Sequence, residues 1–282
     1  MHAQYVQVFE IPHAGCDRLR RHGMKPATPK YCRTEREDKL LVVTLDRPDV
    51  LNSLNAPACF ELEEIFNDFE RDPTLWIAVI TGAGDRAFCA GHDLADAPEA
   101  PMPPSGWAGL AERPDRTKPL IAAVNGLAMG GGLEIALACD IVIADSRSTF
   151  AMSEPRVGAV ALGGGVQRLA TRLPPAIAMG MLLTGRRFDA VEAHRWGLVT
   201  EIAAPGQVME VARRWADEIL KCAPLAVRFT RELAFEALEG EGFAALIGRR
   251  SLDVAARLFA TEDTKEGIRA FLEKRKPVWR GC

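Results

Sequence analysis

The chain has 282 residues, 48% of them apolar and 26% charged, with a formal net charge of −3. That length and composition suit one large domain, or a main domain with a smaller appendage, around a sizeable core. The charge gives no global support for nucleic-acid binding, and no apolar run reaches the ~20 residues needed to span a bilayer.

Residues 1–33 differ in character from the rest of the chain. They scatter His13, Arg18, Arg20, Arg21 and His22 without the apolar segment of a secretory signal. Glu10 and Asp17 argue against a transit peptide, and Met24 would serve equally well as a start. We expect a mobile N-terminal extension and assign it no chemistry. Leu40–Leu45 (LLVVTL) predicts a strand, closed by Asp46-Arg47-Pro48. From Pro57 to Arg71, Phe60, Leu62, Ile65, Phe66 and Phe69 recur at helical spacing. Leu75–Thr81 predicts a second strand, ending at Gly82-Ala83-Gly84.

Between Pro98 and Pro119 the chain turns proline-rich around Gly106, Trp107 and Gly109. This predicts a loop or an interrupted short helix, suited to a mobile pocket wall. Met102 and Trp107 would line that pocket or cover core beneath the loop. Leu120–Val124 predicts a strand leading through Asn125-Gly126 to the triplet Gly130-Gly131-Gly132. Leu133–Cys139 predicts a buried helix, and Ile141–Ala144 a strand that runs on through Phe150 to Ser153-Glu154-Pro155. A second triplet, Gly163-Gly164-Gly165, precedes a helix over Val166–Leu173 that Pro174-Pro175 stops. Helices follow over Ile177–Leu183 and Phe188–Arg195, then Leu198-Val199 leads to a turn at Pro205-Gly206. Beyond it the pattern is helical over Val208–Cys222, Pro224–Glu239, Gly242–Phe259 and Thr264–Lys276. The alternation predicts a layered α/β core over residues 34–205 and a C-terminal helical region over 206–282.

The seven cysteines show no CxxC or metal-ligand spacing. Cys59, Cys89 and Cys139 sit in apolar contexts, as reduced thiols in a core do. A cytoplasmic protein with no disulfide and no metal is the expectation.

The chemistry concentrates at the first glycine triplet. Glycines at a helix N-terminus expose backbone N–H groups that favour negative charge. Glu134 follows within the first turn, and Glu154 returns twenty residues later. Alone, Glu134 would be an ordinary first-turn acid and Glu154 a surface turn residue. Together with the amides they suit one task, stabilising an oxyanion while protons move beside it. A competing motif, Gly82-Ala83-Gly84-Asp85-Arg86-Ala87, fits G-x-G-x-x-A after a strand. A dinucleotide fingerprint needs a helix next, and Cys89-Ala90-Gly91-His92 does not begin one.

The residues resemble the enoyl-CoA hydratase/isomerase (crotonase) superfamily from about Leu40 to Arg280. The resemblance rests on Leu45-Asp46-Arg47-Pro48, Leu51-Asn52-Ser53-Leu54, Ala87–Leu94 (AFCAGHDL), Ala128–Glu134 (AMGGGLE) and Cys139-Asp140. It continues through Gly163–Leu169 (GGGVQRL), Leu183-Thr184-Gly185, Gly197-Leu198-Val199, Glu266-Gly267 and Ala270–Arg275 (AFLEKR). It implies a spiral of ββα units with a C-terminal helical trimerisation region, and a homotrimer or homohexamer. It implies an acyl-CoA substrate, no separate cofactor, and neither nucleic acid nor membrane as partner.

By the same resemblance, the His92 and Gly131 amides would hold the thioester oxygen, and Glu134 and Glu154 would be catalytic. Ala90, Asp93, Leu94, Trp107 and Leu162 would line the substrate site, with Phe271 and Lys274 near the nucleotide of CoA. Asp93 could instead cap a turn, and Lys274 could simply end a helix. Many family hydratases read Gly-x-x-Pro-Gly where this chain has Gly158-Ala159-Val160-Ala161-Leu162. Leu162 keeps the N–H but changes the loop, which admits a shifted substrate or the dehydration direction of carnitinyl-CoA dehydratase-like members. The expected function is an enoyl-CoA hydratase, a lyase of fatty-acid metabolism. The alternatives are a Δ3,Δ2-enoyl-CoA isomerase, for which one carboxylate suffices, and a non-catalytic CoA-ester scaffold.

Overall fold

The structure, a computed structural model, describes residues 30–93, 101–113, 116–239, 257 and 260–282. Two sheets organise it. The larger has six strands in the order β1-β2-β3-β5-β7-β10: β1 (Cys32–Glu37), β2 (Leu40–Leu45), β3 (Ile77–Gly82), β5 (Leu120–Val124), β7 (Ile141–Asp145) and β10 (Glu201–Ala203). Only β1 runs antiparallel to its neighbour. The smaller sheet is β4 (Ala87–Cys89), β6 (Leu127–Met129), β8 (Thr149–Ala151) and β9 (Phe188–Asp189), with β9 antiparallel.

The inner strands of the larger sheet are apolar runs without polar alternation because both faces are covered. Leu40 and Val42 of β2, Ile77 and Val79 of β3, and Ile121 and Ala123 of β5 face one core, which α6 (Val208–Leu220) closes with Val208, Ala212 and Ala216. The alternate residues Leu41, Val43, Ala78, Ile80, Leu120 and Ala122 face the other. There they meet α1 (Ala56–Arg71) and α2 (Gly131–Ala138). Asn55 caps α1 by accepting the Ala58 N–H, and Leu62, Phe66 and Phe69 form its buried stripe. Lys118 closes the other end of α1, its fully buried ammonium donating to the Phe69 and Asp72 carbonyls. Apart from Glu134, α2 is apolar on every side and buried accordingly.

Three times in succession the chain passes from the larger sheet to the smaller: β3 to β4, β5 to β6, β7 to β8. This is the spiral of ββα units expected. The short strands β4, β6, β8 and β10 carry too few residues for periodicity to reveal them. The predicted helix over Phe188–Arg195 divides: Phe188 and Asp189 pair with β8, and Asp189 then caps α5 (Ala190–Arg195) in a capping box with Glu192. α3 (Gly165–Arg172) and α4 (Pro175–Thr184) match expectation, with Pro175 in the first turn of α4, where its missing N–H costs nothing. α7 spans Pro224–Glu239 and α8 spans Glu262–Leu272, ending before Lys274 takes a left-handed φ of 54°. Nearly all of the helix predicted over 242–259 lies outside the described residues. Gly82–Ala87 runs straight into β4, so the dinucleotide fingerprint has no helix to follow it. β1 begins at Cys32, inside the expected extension, of which residues 1–29 lie outside the described residues.

Among the described residues, no helix is long and apolar enough to cross a membrane. None of the described cysteines is in a disulfide, and burial pushes the Cys89 and Cys139 thiols up to about 12.

Candidate active site

Adjacent parallel strands β4, β6 and β8 end side by side, and the sequence just beyond each end supplies one part of the site. Beyond β4 come Ala90-Gly91-His92-Asp93. Leu54 donates its N–H to Gly91 O at 2.9 Å and accepts from the Asp93 N–H at 2.8 Å. This parallel bridge flanks His92, so the His92 N–H turns to the side away from Leu54. On that side, a Cβ at Gly91 would stand 2.7 Å from Met129 O and 3.2 Å from Gly131 N. The His92 and Gly131 segments therefore run in direct contact, and only glycine at 91, with φ +96°, permits it.

Beyond β6, Gly130 takes φ 52° and donates its N–H to Ala151 O of β8 at 2.8 Å. A side chain there would strike Glu154 Oε1, 2.6 Å from the Cβ position. At Gly131 the obstacle would be the Trp107 indole, 2.5 Å away, whose Nε1–H donates to Gly131 O at 2.8 Å. Gly132 lets α2 pack on the backbone of Cys89. Each glycine of the triplet thus has a neighbour occupying its missing side chain.

Glu134 is 4% exposed and projects from the first turn of α2 towards the second triplet. Its Oε1 accepts the Gly165 N–H at 2.9 Å, while a Cβ at Gly163 would lie 2.7 Å from Oε2. Burial pushes the Glu134 carboxyl upward, and the charge of Glu154 adds to that; the Gly165 and Gly163 amides and Arg168 oppose it. Glu154 opens the 3-10 turn Glu154–Val157 beyond β8. Its Oε2 is buried with no hydrogen-bond partner, and burial raises its carboxyl also. Trp107 closes the cluster, its ring edge-on to His92 with centroids 5.6 Å apart at 84°.

The structure therefore gathers His92, Gly131, Glu134, Glu154 and Trp107. Ala90 sits half-buried beside them, its N–H on Leu51 O. Asp93 pairs with Arg47 at 2.9 Å, which holds the His92 segment in place. Leu162 is 82% exposed, so the leucine in place of glycine leaves Glu134 uncrowded. Met102 is exposed. Leu94 and the Phe271 side chain lie outside the described residues, and Lys274 is exposed beyond α8.

Sequence reasoning missed the residues that hold the Trp107 turn. Glu63 and Arg113 form a buried pair at 3.3 Å, Glu63 accepts from Ser105 N and Oγ, and Arg113 Nε donates to Gly109 O at 3.0 Å. In the sequence Glu63 is one more acid on a helix, and only its distant partners reveal its role. Among the described residues no group of three or more His, Cys, Asp or Glu is placed to hold a metal ion. Amide donors at a strand-end row, beside two carboxylates in unequal surroundings, can stabilise a developing oxyanion and transfer protons on either side of it.

Known proteins are similar to this chain in sequence and in fold. The sequence profile of the enoyl-CoA hydratase/isomerase family matches residues 35–282. A carnitinyl-CoA dehydratase of Proteus mirabilis (strain HI4320) is 45% identical over 254 residues, covering 86% of this chain and 95% of that protein. The carnitinyl-CoA dehydratase of Citrobacter koseri is 43% identical over 253 residues, covering 87% and 97%. Among solved structures, an enoyl-CoA hydratase from Mycobacterium tuberculosis H37Rv superposes with TM-score 0.84 at 38% identity, covering 89% of this chain and 99% of that one.

Proposed function

The chain belongs to the enoyl-CoA hydratase/isomerase family, and from there we propose that it interconverts a trans-2-enoyl-CoA and a 3-hydroxyacyl-CoA by adding or removing water. The observation that carries the reading is the unequal pair of carboxylates beside the His92 and Gly131 segments.

In the hydration direction the thioester oxygen sits between the His92 and Gly131 amides, which stabilise the enolate as it forms. Glu134, supported by two amides and Arg168, is the better carboxylate and takes a proton from the water that attacks Cβ. Glu154, with one oxygen shut away unpartnered, favours its protonated form and delivers a proton to Cα. Hydroxyl adds at Cβ and hydrogen at Cα, and Glu134 then loses its proton to solvent as Glu154 regains one from it, so the cycle closes on the addition of one water. Elimination runs the same steps backwards. The thioester itself makes Cβ electrophilic, so the scheme calls for no cofactor. The assembly that goes with this reading is a homotrimer or homohexamer, which light scattering would measure.

A second reading within the same chemistry is carnitinyl-CoA dehydration, favoured by the 45% and 43% identity to proteins of that name. The test follows the conjugated-thioester absorbance. A short trans-2-enoyl-CoA should lose it, and carnitinyl-CoA should gain it if elimination is the preferred direction. Glu134→Gln and Glu154→Gln should each lower kcat by about 10²–10⁴. Full activity on a 3-enoyl-CoA with only one glutamate required would replace hydration by isomerisation, and CoA-ester binding without turnover would favour a scaffold.

A further inference from the structure

Arg168, in the first turn of α3, spans two walls of the site. Its Nη1 donates to Gly163 O at 3.0 Å and its Nη2 to Ala111 O at 2.7 Å. Gly163 begins the turn whose amides face Glu134. Ala111 closes the turn that starts at Trp107, through an Ala111 N–H to Trp107 O bond of 3.0 Å. The two walls also touch directly, since a Cβ at Gly163 would meet both Glu134 Oε2 and Trp107 Cβ. Room for the guanidinium is built into the backbone. Gly164 has φ +83°, and the place where its side chain would stand is filled by Arg168 Nη1. A planar fork can bond two carbonyls that diverge, whereas an ammonium is a point donor.

We propose that Arg168 is a positioning residue: its two-carbonyl clasp sets the gap between the Trp107 wall and the Gly163–Gly165 turn, and with it the orientation of Glu134. This rests on the reading that Glu134 acts as the base. The charges that act on Glu134 come from Glu154, on the turn after β8, and from Arg168 itself. Arg168 therefore has two separable effects, one of charge and one of geometry.

The experiment pairs Arg168→Gln with Arg168→Lys, reading steady-state kinetics across pH and backbone hydrogen exchange. Arg168→Gln should lower kcat about 10- to 100-fold, as a displaced catalytic group does, while KM changes by less than about threefold. Without the cation the Glu134 carboxyl rises, so the acid limb of kcat/KM moves to higher pH. Arg168→Lys keeps the charge, but its single nitrogen cannot take the places of both Nη1 and Nη2, so it does not span the two walls. Its acid limb should return to the wild-type position while kcat stays reduced, and exchange should quicken at both 105–113 and 163–168. Wild-type kcat in Arg168→Lys, or unchanged exchange in both segments, would overturn the clasp. The lysine variant also carries the test should the glutamine variant fail to fold. If the wild type turns over none of the acyl-CoA substrates, the catalytic reading fails, and the exchange data still decide whether Arg168 joins the two walls.

Discussion

Glu154 keeps one carboxylate oxygen out of solvent with nothing to bond it, an arrangement that costs stability whenever the group is ionised. Its carboxyl is raised in the folded protein, so the native state binds a proton more readily than the unfolded chain, and stability falls as pH climbs through that range. Glu154→Gln should therefore melt higher than wild type at pH 7, by the roughly 2–4 °C that about 1 kcal/mol produces in a domain of this size. The gain should vanish at a pH low enough to protonate the glutamate in both states. Calorimetry at pH 7 and pH 4 checks the sign; a lower melting point at pH 7 would mean that the unpartnered oxygen is not costly. The first triplet makes a second prediction at this scale. Gly131→Ala drives a methyl into the Trp107 indole and should cost activity by about 10²-fold, the loss expected when a reacting geometry shifts by about 1 Å. A crotonyl-type substrate assay on the folded variant measures it.

The turn that bears Trp107 is held as a unit. The buried Glu63–Arg113 pair, Ser105 on Glu63 and Asn67 on Arg113 Nη1 at 2.9 Å fasten it to α1. Removing one partner leaves a buried charge alone, so Arg113→Met should destabilise by about 3–5 kcal/mol in urea unfolding. Its KM should rise as well, because Trp107 loses its footing. Elements of this kind explain what could and could not be read from the sequence. The long apolar strands Leu40–Leu45 and Leu120–Val124 and the helix ending at Arg71 announce themselves by period and composition. The Gly130–Gly132 and Glu134 cluster is legible because several residue types needed by one chemistry fall within a few positions. The three-residue strands β4, β6 and β8 have no period to detect, so the row that assembles the site emerges only from pairing. Arg168 and Glu63 are hidden for a related reason. Their partners are distant in sequence, Ala111 and Ser105, and nothing local distinguishes them from surface charges.

Over the whole molecule, carboxylates at the two ends of β7 tie the C-terminal helices to the core. Asp140, between α2 and β7, accepts from Arg116 at 2.6 Å, from the Leu120 N–H at 2.8 Å and from Arg231 of α7 at 2.9 Å. Asp145, ending β7, accepts from Gly206 N–H at 2.6 Å just before α6; the Arg147 guanidinium above all, helped by the Arg147 and Gly206 amides, holds its carboxyl down at about 2. A depressed carboxyl adds stability above its ordinary range, and that stability is lost as pH falls through the folded value. Acid unfolding should accordingly develop between about pH 4 and pH 2, and Asp145→Asn should flatten that decline while lowering stability at pH 7. Far-UV dichroism against pH measures both. The placement of the site on three consecutive coils of the spiral has one more consequence. His92, Gly131 and Glu154 owe their spacing to the ladder between β4, β6 and β8, whereas Trp107 belongs to a stretch that merely spans β4 and β5. On the proposed function, the strand-end row and the Trp107 wall can thus diverge at different rates in evolution, and the segment between β4 and β5 is the one to graft when a new acyl group is to be accepted on unchanged chemistry.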